Sequence, residues 1–308
     1  MLENRVAIIS GGGRGLGREH ALLFASLGAK VVVNDLGGAT DGSGTDISAA
    51  QSVVDEIEAA GGEAVASTDS VTDFEGAKAI VETAVKTFGD LHVVVNNAGI
   101  LRDRMLVSMS EQDFDDVIAV HMKGTFNITR HAAEHWREQS KAGNGGDRAI
   151  VNTSSAAGLH GNVGQTNYSG AKAAIAAMTI VNSMELGRYG VRANCIAPVA
   201  RTRMTEQTPG LSEAMAQHIF DPGNVSPLVA YLASEGCPFT GQVFSVYGGS
   251  VGIYAGWSIA EEVTTDGRWQ VDELAKAMDT LPRNVKVNSQ MHALAAAFAA
   301  GREQGSGS

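Results

Sequence analysis

The chain has 308 residues, 44% of them hydrophobic and 19% charged, with a formal net charge of −11. This is an ordinary globular composition with enough apolar residues for a large core. The charge excludes a broad nucleic-acid-binding surface, which needs a positive patch, but not a local basic pocket for an anionic small molecule.

In chain order, continuous apolar runs rich in Val and Ile alternate with helix-length amphipathic stretches. The runs are 5–9, 30–34, 63–67, 91–96, 149–153, 191–197 and 242–246. Unbroken apolarity suits strands covered on both faces, as in a parallel sheet. The stretches between them, 17–27, 46–60, 71–88, 111–140 and 165–187, are read as helices. Such alternation implies right-handed crossovers and a doubly wound sheet. The loop "LGGATDGSGTD" (36–46) is longer than most connections. Residues 1–250 are read as one domain, and 251–308 as an extension packed on it, with helices at "VDELAKAMDTL" and "SQMHALAAAFAAG" and a disordered tail.

The two cysteines, Cys195 and Cys237, lie in apolar settings and read as buried, reduced thiols. The first ten residues hold too short an apolar run for a signal peptide, and no stretch approaches a membrane span. The tail "GREQGSGS" carries no Ser-Lys-Leu address, so a cytoplasmic location is expected. No metal site is expected.

The segment 5–35 runs strand, glycine turn, helix, strand, with Gly11, Gly15 and Gly17 in the turn. Glycines let a backbone approach a pyrophosphate, and the following helix offers free N–H groups and a positive dipole end. The spacing departs from G-x-G-x-x-G, so placement between strand and helix carries the reading of a dinucleotide site. Asp35 closes the second strand, where a carboxylate accepts bonds from ribose hydroxyls and repels a 2′-phosphate, favouring NAD over NADP. Arg14 pulls toward NADP, or is an ordinary solvated arginine. Farther along, Tyr168 and Lys172 stand four residues apart and share one helix face, although lysine is seldom buried without a reason.

"SGGGRGLG" (10–17), "NNAG" (96–99), "NTSSAAG" (152–158) and "YSGAK" (168–172) together resemble the short-chain dehydrogenase/reductase superfamily over roughly residues 5–250. "VVVNDLGG", "VVVNNAGILRDR", "GQTNYSGAK" and "YAGW" are similar to the (3R)-hydroxyacyl-CoA dehydrogenase region of the peroxisomal multifunctional enzyme and its bacterial relatives. The resemblance implies a Rossmann-like α/β fold with a seven-stranded parallel sheet, helices on both faces, and a C-terminal helical extension. It implies that Tyr168 exchanges a proton with the substrate oxygen while hydride moves to or from nicotinamide. Lys172 would lower the phenol pKa from its usual value of about 10 and hold the nicotinamide ribose. Ser155 would bond the reacting oxygen, with Ser154 as its competitor. Cofactor contacts are implied for Gly11, Gly13, Arg14, Gly15, Leu16 and Gly17 in the turn, and for Asp35. Farther on they fall to Asp69 and Ser70 beside the adenine, and to Asn97, Ala98 and Gly99 after the fourth strand. Tyr168, Lys172, Pro198 and Thr202 complete the set. Asp69 reads equally as a strand-end cap.

Two departures stand out. His121 occupies the place where the superfamily commonly has an asparagine that helps relay protons; it holds a water, donates directly, or is a satisfied helix histidine. Pro198-Val199 replaces Pro-Gly, so another path is expected for the loop beside the nicotinamide. The implied activity is interconversion of a secondary alcohol and ketone with NAD, most specifically on a (3R)-hydroxyacyl-CoA. A hydroxysteroid dehydrogenase, a 3-oxoacyl reductase and a non-catalytic dinucleotide sensor are the alternatives. Residues 204–220 read as a lid over an acyl-CoA or steroid. A homodimer is expected through the helices at 111–140 and 165–187, with a tetramer as the variant, and neither nucleic acid nor membrane as partner.

Overall fold

The first of two compact units, Met1–Ile253, is built on one sheet; the second is Tyr254–Ser308. The computed structural model describes residues 1–44, 46, 48–200 and 220–283. The strands are β1 (Val6–Ser10), β2 (Lys30–Asn34), β3 (Glu63–Ser67), β4 (Val93–Asn96), β5 (Arg148–Thr153), β6 (Val191–Pro198), β7 (Val243–Tyr247) and β8 (Ser250–Ile253). Their order is β3-β2-β1-β4-β5-β6-β7-β8. All pair in parallel except β8, which runs antiparallel to β7.

The sheet therefore has eight strands rather than the expected seven. Tyr247 pairs with Ser250 across a two-residue Gly248–Gly249 turn, a dipeptide well suited to a tight hairpin. β8 escapes the apolar-run criterion because Val251 and Ile253 stay exposed at the edge.

Among the described residues, the α-helices of this unit are α1 (Gly15–Ser26), α2 (Ser48–Ala59), α3 (Phe74–Phe88), α4 (Glu111–Ile118), α5 (Gly124–Lys141), α6 (Ala156–His160), α7 (Thr166–Leu186) and α8 (Ser226–Ala233). The single helix expected over 111–140 is two helices joined by a π turn at Ala119–Lys123. Alternate residues of each strand feed opposite faces of the sheet. Ala7 and Ile9 of β1 join Phe24, Val53, Ile57 and Val229 on one side. Val6 and Ile8 join Ile80, Ile128 and Trp136 on the other.

Where the strands begin, charges replace apolar side chains. Asp147 binds Arg5 at 3.0 Å and Arg192 at 2.7 Å, while Asp90 binds Arg148 at 2.8 Å and His135 at 2.9 Å. These pairs tie the starts of β1, β5 and β6 together at the end of the sheet opposite the glycine turn. Cys195 and Cys237 are free and buried, as expected, and burial pushes the Cys195 thiol up to about 11.

In the second unit, α9 (Val271–Met278) forms where a helix was expected, with Asp272 and Glu273 in its first turn and Lys276 in its last, each complementing the helix dipole. The other helix expected there, the C-terminal tail and most of the suggested lid lie outside the described residues. Among the described residues, no helix is long and apolar enough to cross a membrane.

Candidate active site

β1 is flanked by β2 on one side and β4 on the other, so strand order reverses between β1 and β4. In doubly wound sheets the crevice at that reversal, beyond the strand C-termini, is where ligands bind. The glycine turn after β1 lines it. Gly11 has φ +63, and a Cβ there would stand 2.9 Å from Ala98 Cα. A Cβ on Gly17 would fall 2.0 Å from the Gly11 carbonyl oxygen. The turn thus folds directly onto the start of α1, whose first residues have no side-chain cap. The free N–H groups and positive dipole end of α1 suit an anion, and a side chain at 17 would collide with the turn itself.

Asn97 fixes the other wall. Its Nδ2 donates to Ser10 O at 3.2 Å and Gly11 O at 3.1 Å. Ser10 Oγ accepts from the Asn97 and Ala98 amides. Gly99 is equally constrained: a Cβ would meet the His121 ring at 2.4 Å.

Asp35 sits at the end of β2 as expected, with both oxygens engaged: Oδ2 accepts from Gly13 N at 2.8 Å and Oδ1 from Gly37 N at 2.6 Å. Arg14 is a half-exposed arginine with partners. It donates to Gly37 O and Gly38 O and pairs with Asp46 at 2.6 Å, so its charge is spent holding the 36–46 loop. That loop reaches across to β4's far end, where Leu101 N donates to Thr40 O at 2.9 Å. Asp69 behaves chiefly as the strand-end cap: its carbonyl accepts from Asn34 Nδ2 at 2.9 Å and its carboxylate from Ser67 Oγ at 3.1 Å. Ser70 bonds Thr72. Leu16 packs on the core as a partly buried side chain. Pro198 closes β6, and Val199 N still donates to Val246 O at 2.9 Å, so the backbone stays in the ladder one residue past Pro198. Thr202 lies outside the described residues.

On the β4–β5 side, α6 and α7 bring Ser155, Tyr168 and Lys172 together. Ser155 caps α6, its Oγ accepting from Ala157 N at 3.2 Å, and its side chain opposes the upward push of burial on the Tyr168 phenol. Ser154, 1% exposed, donates its hydroxyl to the Lys172 carbonyl at 2.7 Å. Lys172 is 3% exposed, its Nζ donating to Thr153 O at 2.7 Å and lying 5.6 Å from the Tyr168 ring centroid.

Burial pushes Tyr168 up to about 12 and Lys172 down to about 8. Dehydration disfavours whichever form is charged.

His121 lies in the π turn, an element found often at functional positions. It is 1% exposed and meets Tyr168 edge-on with ring centroids 5.2 Å apart. Nε2 lies 2.8 Å from Ile100 O and 3.1 Å from Ile100 N. Assigning the proton to Nε2 on the shorter contact leaves Nδ1 a buried acceptor without a partner among the described residues. Burial, helped by Lys172, holds its pKa well below the usual value, so the ring is neutral.

A polar chain runs beneath this group. Asn96 Nδ2 donates to Asn152 Oδ1 at 2.9 Å and Asn152 Nδ2 to Thr179 Oγ1 at 2.9 Å, tying β4 and β5 to α7.

The short chain dehydrogenase family model matches residues 5–211. The chain belongs to the short-chain dehydrogenase family. The fold of this short-chain dehydrogenase superposes on a short chain dehydrogenase from Mycobacterium avium with a TM-score of 0.81 at 49% identity, covering 92% of this chain and 98% of that one. A hydroxyacyl-CoA dehydrogenase of Mycobacterium tuberculosis is 44% identical over 288 residues, covering 90% of this chain and 88% of the relative. Peroxisomal multifunctional enzyme type 2 of Drosophila melanogaster is 47% identical over 240 residues, 78% of this chain; this chain spans only 38% of that larger enzyme. Membership makes the chain an oxidoreductase of a family that uses NAD(P), related to hydroxyacyl-CoA dehydrogenases.

Proposed function

We propose that the chain is an NAD-dependent dehydrogenase interconverting (3R)-hydroxyacyl-CoA and 3-oxoacyl-CoA. The observation that carries the reading is the juxtaposition of Ser155, Tyr168 and Lys172 at the crevice lined by the glycine turn. The turn fits a dinucleotide: Gly17 lets the turn pack directly on α1, and the start of that helix has no side-chain cap on its N–H groups. Gly11, Gly13, Gly15, Leu16 and Arg14 would flank the pyrophosphate. Asp35 would bond the adenosine ribose, with Asp69 and Ser70 by the adenine. Asn97, Ala98, Gly99, Pro198 and Lys172 would line the nicotinamide half. NAD rather than NADP follows from charge: Asp35 offers a carboxylate, and the nearby cation, Arg14, is committed to Asp46.

When bound, oxidised nicotinamide supplies the hydride acceptor and a positive charge. Tyr168 takes the carbinol proton, a step that needs its phenolate; in reduction the phenol gives the proton back. Ser155 donates to the reacting oxygen and stabilises the charge that develops there. Lys172 is the buried cation within reach of this exchange, and His121 Nδ1 is the neutral acceptor that can take a proton-carrying water. The substrate assignment is supported by two relatives: the hydroxyacyl-CoA dehydrogenase already described and a 3-oxoacyl-[acyl-carrier-protein] reductase of Thermotoga maritima, 37% identical over 258 residues. Both names describe chemistry at the carbon β to a thioester.

A homodimer is part of the proposal, because Phe126 of α5 and Ile180, Val181 and Met184 of α7 leave apolar surface exposed. The test of function is NADH formation from NAD and a series of (3R)-hydroxyacyl-CoA esters. No turnover at any chain length, with cofactor binding intact, would reject the substrate class. Light scattering at a monomer mass would reject the dimer.

A further inference from the structure

The loop after β2 is longer than a strand-to-helix connection needs, and no step of the proposed reaction uses it. Its ends are pinched together: Asp46 N donates to Leu36 O at 3.1 Å. Surface loops closed at the base in this way are frequently functional. The glycine turn holds both limbs through one side chain. The Arg14 guanidinium bonds Gly37 O at 3.1 Å and Gly38 O at 3.3 Å on the outgoing limb, and Asp46 at 2.6 Å on the returning one. At the tip the chain turns on Asp41, whose Oδ1 accepts from Ser43 N at 2.9 Å and Ser43 Oγ at 2.7 Å.

Where the tip lands decides what the loop does. Leu101 N donates to Thr40 O at 2.9 Å, and Gly42 rests on Ile100. A Cβ built on Gly42 would stand 3.2 Å from Ile100 Cδ1 and 3.8 Å from Ile100 Cβ. Ile100 and Leu101 follow β4, whereas the loop springs from the end of β2, and β1 lies between those two strands. Neighbouring strands are about 4.8 Å apart, so the loop reaches about 10 Å sideways over two spacings. It therefore crosses the mouth of the crevice between β1 and β4, with its base tied to the glycine turn on one bank and its tip set on the other. The landing is firm: Ile100 is 8% exposed and packs with Val117 and Ala171, against which Tyr168 also lies. The tip residues 41–44 are exposed.

We infer, on the reading of the crevice as a dinucleotide site, that residues 37–44 form a strap across it. The strap completes the outer wall of the site, retains the cofactor, and must lift from Ile100 and Leu101 for the cofactor to exchange. It is held at the base by a charged side chain and at the tip by a backbone hydrogen bond and an apolar contact. Lifting the tip is thus a local opening that leaves the sheet intact.

The test is a cross-link. Disulfides place their Cβ atoms about 3.5–4.5 Å apart, and the Gly42–Ile100 separation of 3.8 Å falls within that range. Gly42→Cys/Ile100→Cys should therefore join under oxidised glutathione in the folded full chain, the native Cys195 and Cys237 being buried. With NADH bound first, oxidation should slow its displacement by excess NAD at least about tenfold, read by NADH fluorescence, and dithiothreitol should restore the rate. Oxidised before NADH is added, the same protein should load it more slowly by a similar factor. Gly42 has φ +86, a strained setting for cysteine, so a second variant works in the opposite direction. Asp41→Ala removes the bonds that shape the tip and should speed NADH release about two- to tenfold. Cysteines that stay reduced in a folded chain, a cross-linked chain that exchanges NADH as fast as its reduced form, or parent-like release from Asp41→Ala would each overturn the strap alone. A folded parent that binds no NADH would overturn the dinucleotide site, and the strap with it.

Discussion

Two adjacent serines sit between β5 and α6, and the structure gives them separate tasks that single substitutions can tell apart. Ser154→Ala removes a buried hydroxyl that donates to the Lys172 carbonyl at 2.7 Å. A buried hydrogen bond of this kind contributes about 0.5–1.5 kcal/mol. For a chain of this size class, about 2–4 °C of Tm follows per kcal/mol, so a fall of about 1–6 °C is expected. Ser155→Ala removes the α6 cap, whose Oγ accepts from Ala157 N at 3.2 Å, at a similar cost of about 1 kcal/mol. Stability alone therefore does not separate them; chemistry does. Losing a donor aimed at the reacting oxygen costs about 10²–10³ in kcat, whereas Ser154→Ala should stay within a few-fold of the parent. The assay is NADH production from a (3R)-hydroxyacyl-CoA well below both melting temperatures, alongside scanning calorimetry. If Ser154→Ala proved the silent enzyme and Ser155→Ala retained activity, the assignment built on their hydrogen bonds would be wrong.

Tyr168→Phe should abolish turnover while NADH affinity, read by fluorescence titration, changes only a few-fold; measurable alcohol oxidation would remove the tyrosine from the reaction. Lys172 has a folded-state pKa of about 8 against an ordinary 10.5, so the unfolded chain binds more protons between those values and stability should rise with pH across that window. Urea denaturation at both ends of the window should show the rise in the parent and lose it in Lys172→Met. Asp90 is held at about 2 against an ordinary 3.8, through His135 and other hydrogen-bonding and charged partners that outweigh its partial burial. Its contribution is present above about pH 4 and is lost as pH falls through about 2. Asp90→Asn strands the Arg148 guanidinium, whose side chain is 5% exposed, and should cost about 1–3 kcal/mol after allowance for solvent at the carboxylate, with the gap to the parent closing in acid. Equal acid midpoints for the two proteins would refute that account. Asp35→Ser should reduce the NAD/NADP ratio of kcat/KM at least about tenfold, since a 2′-phosphate would no longer meet a carboxylate; an unaltered ratio would show that coenzyme choice lies elsewhere.

Much of the fold was legible because both faces of the sheet are covered. Every strand from β1 to β7 appears in the sequence as a continuous apolar run within a residue or two of its ends, and the longer helices between them were read from the sequence, whereas the short α6 and α8 were not. β8 was not legible, since an exposed edge strand needs no apolar run and its signal was the Gly248–Gly249 pair. The π turn was not legible either: residues 111–140 read as one amphipathic stretch, and nothing in "VIAVHMKG" breaks a helix. In the site, Ser155, Tyr168 and Lys172 could be named from local motifs, and the structure brings them together. Arg14's commitment to Asp46 and the hydrogen bond between Asp103 and Gln165 could not, because they depend on side chains 32 and 62 residues apart that only the fold brings into contact.

The π turn at 119–123 acts as a phase shifter. α4 packs against α7, whereas α5 packs against α3 on a different side, and one unbroken α-helix would have to choose between these partners. Each residue advances a helix by about 100°, so deleting one residue here would rotate all of α5 by that amount. Asn127, His131 and Trp136, whose side chains bond the backbone of Val71, Phe74 and Leu91, would swing out of register together. The extra residue therefore carries two reading frames on a single rod, and the ring it turns inward at their junction is that of His121.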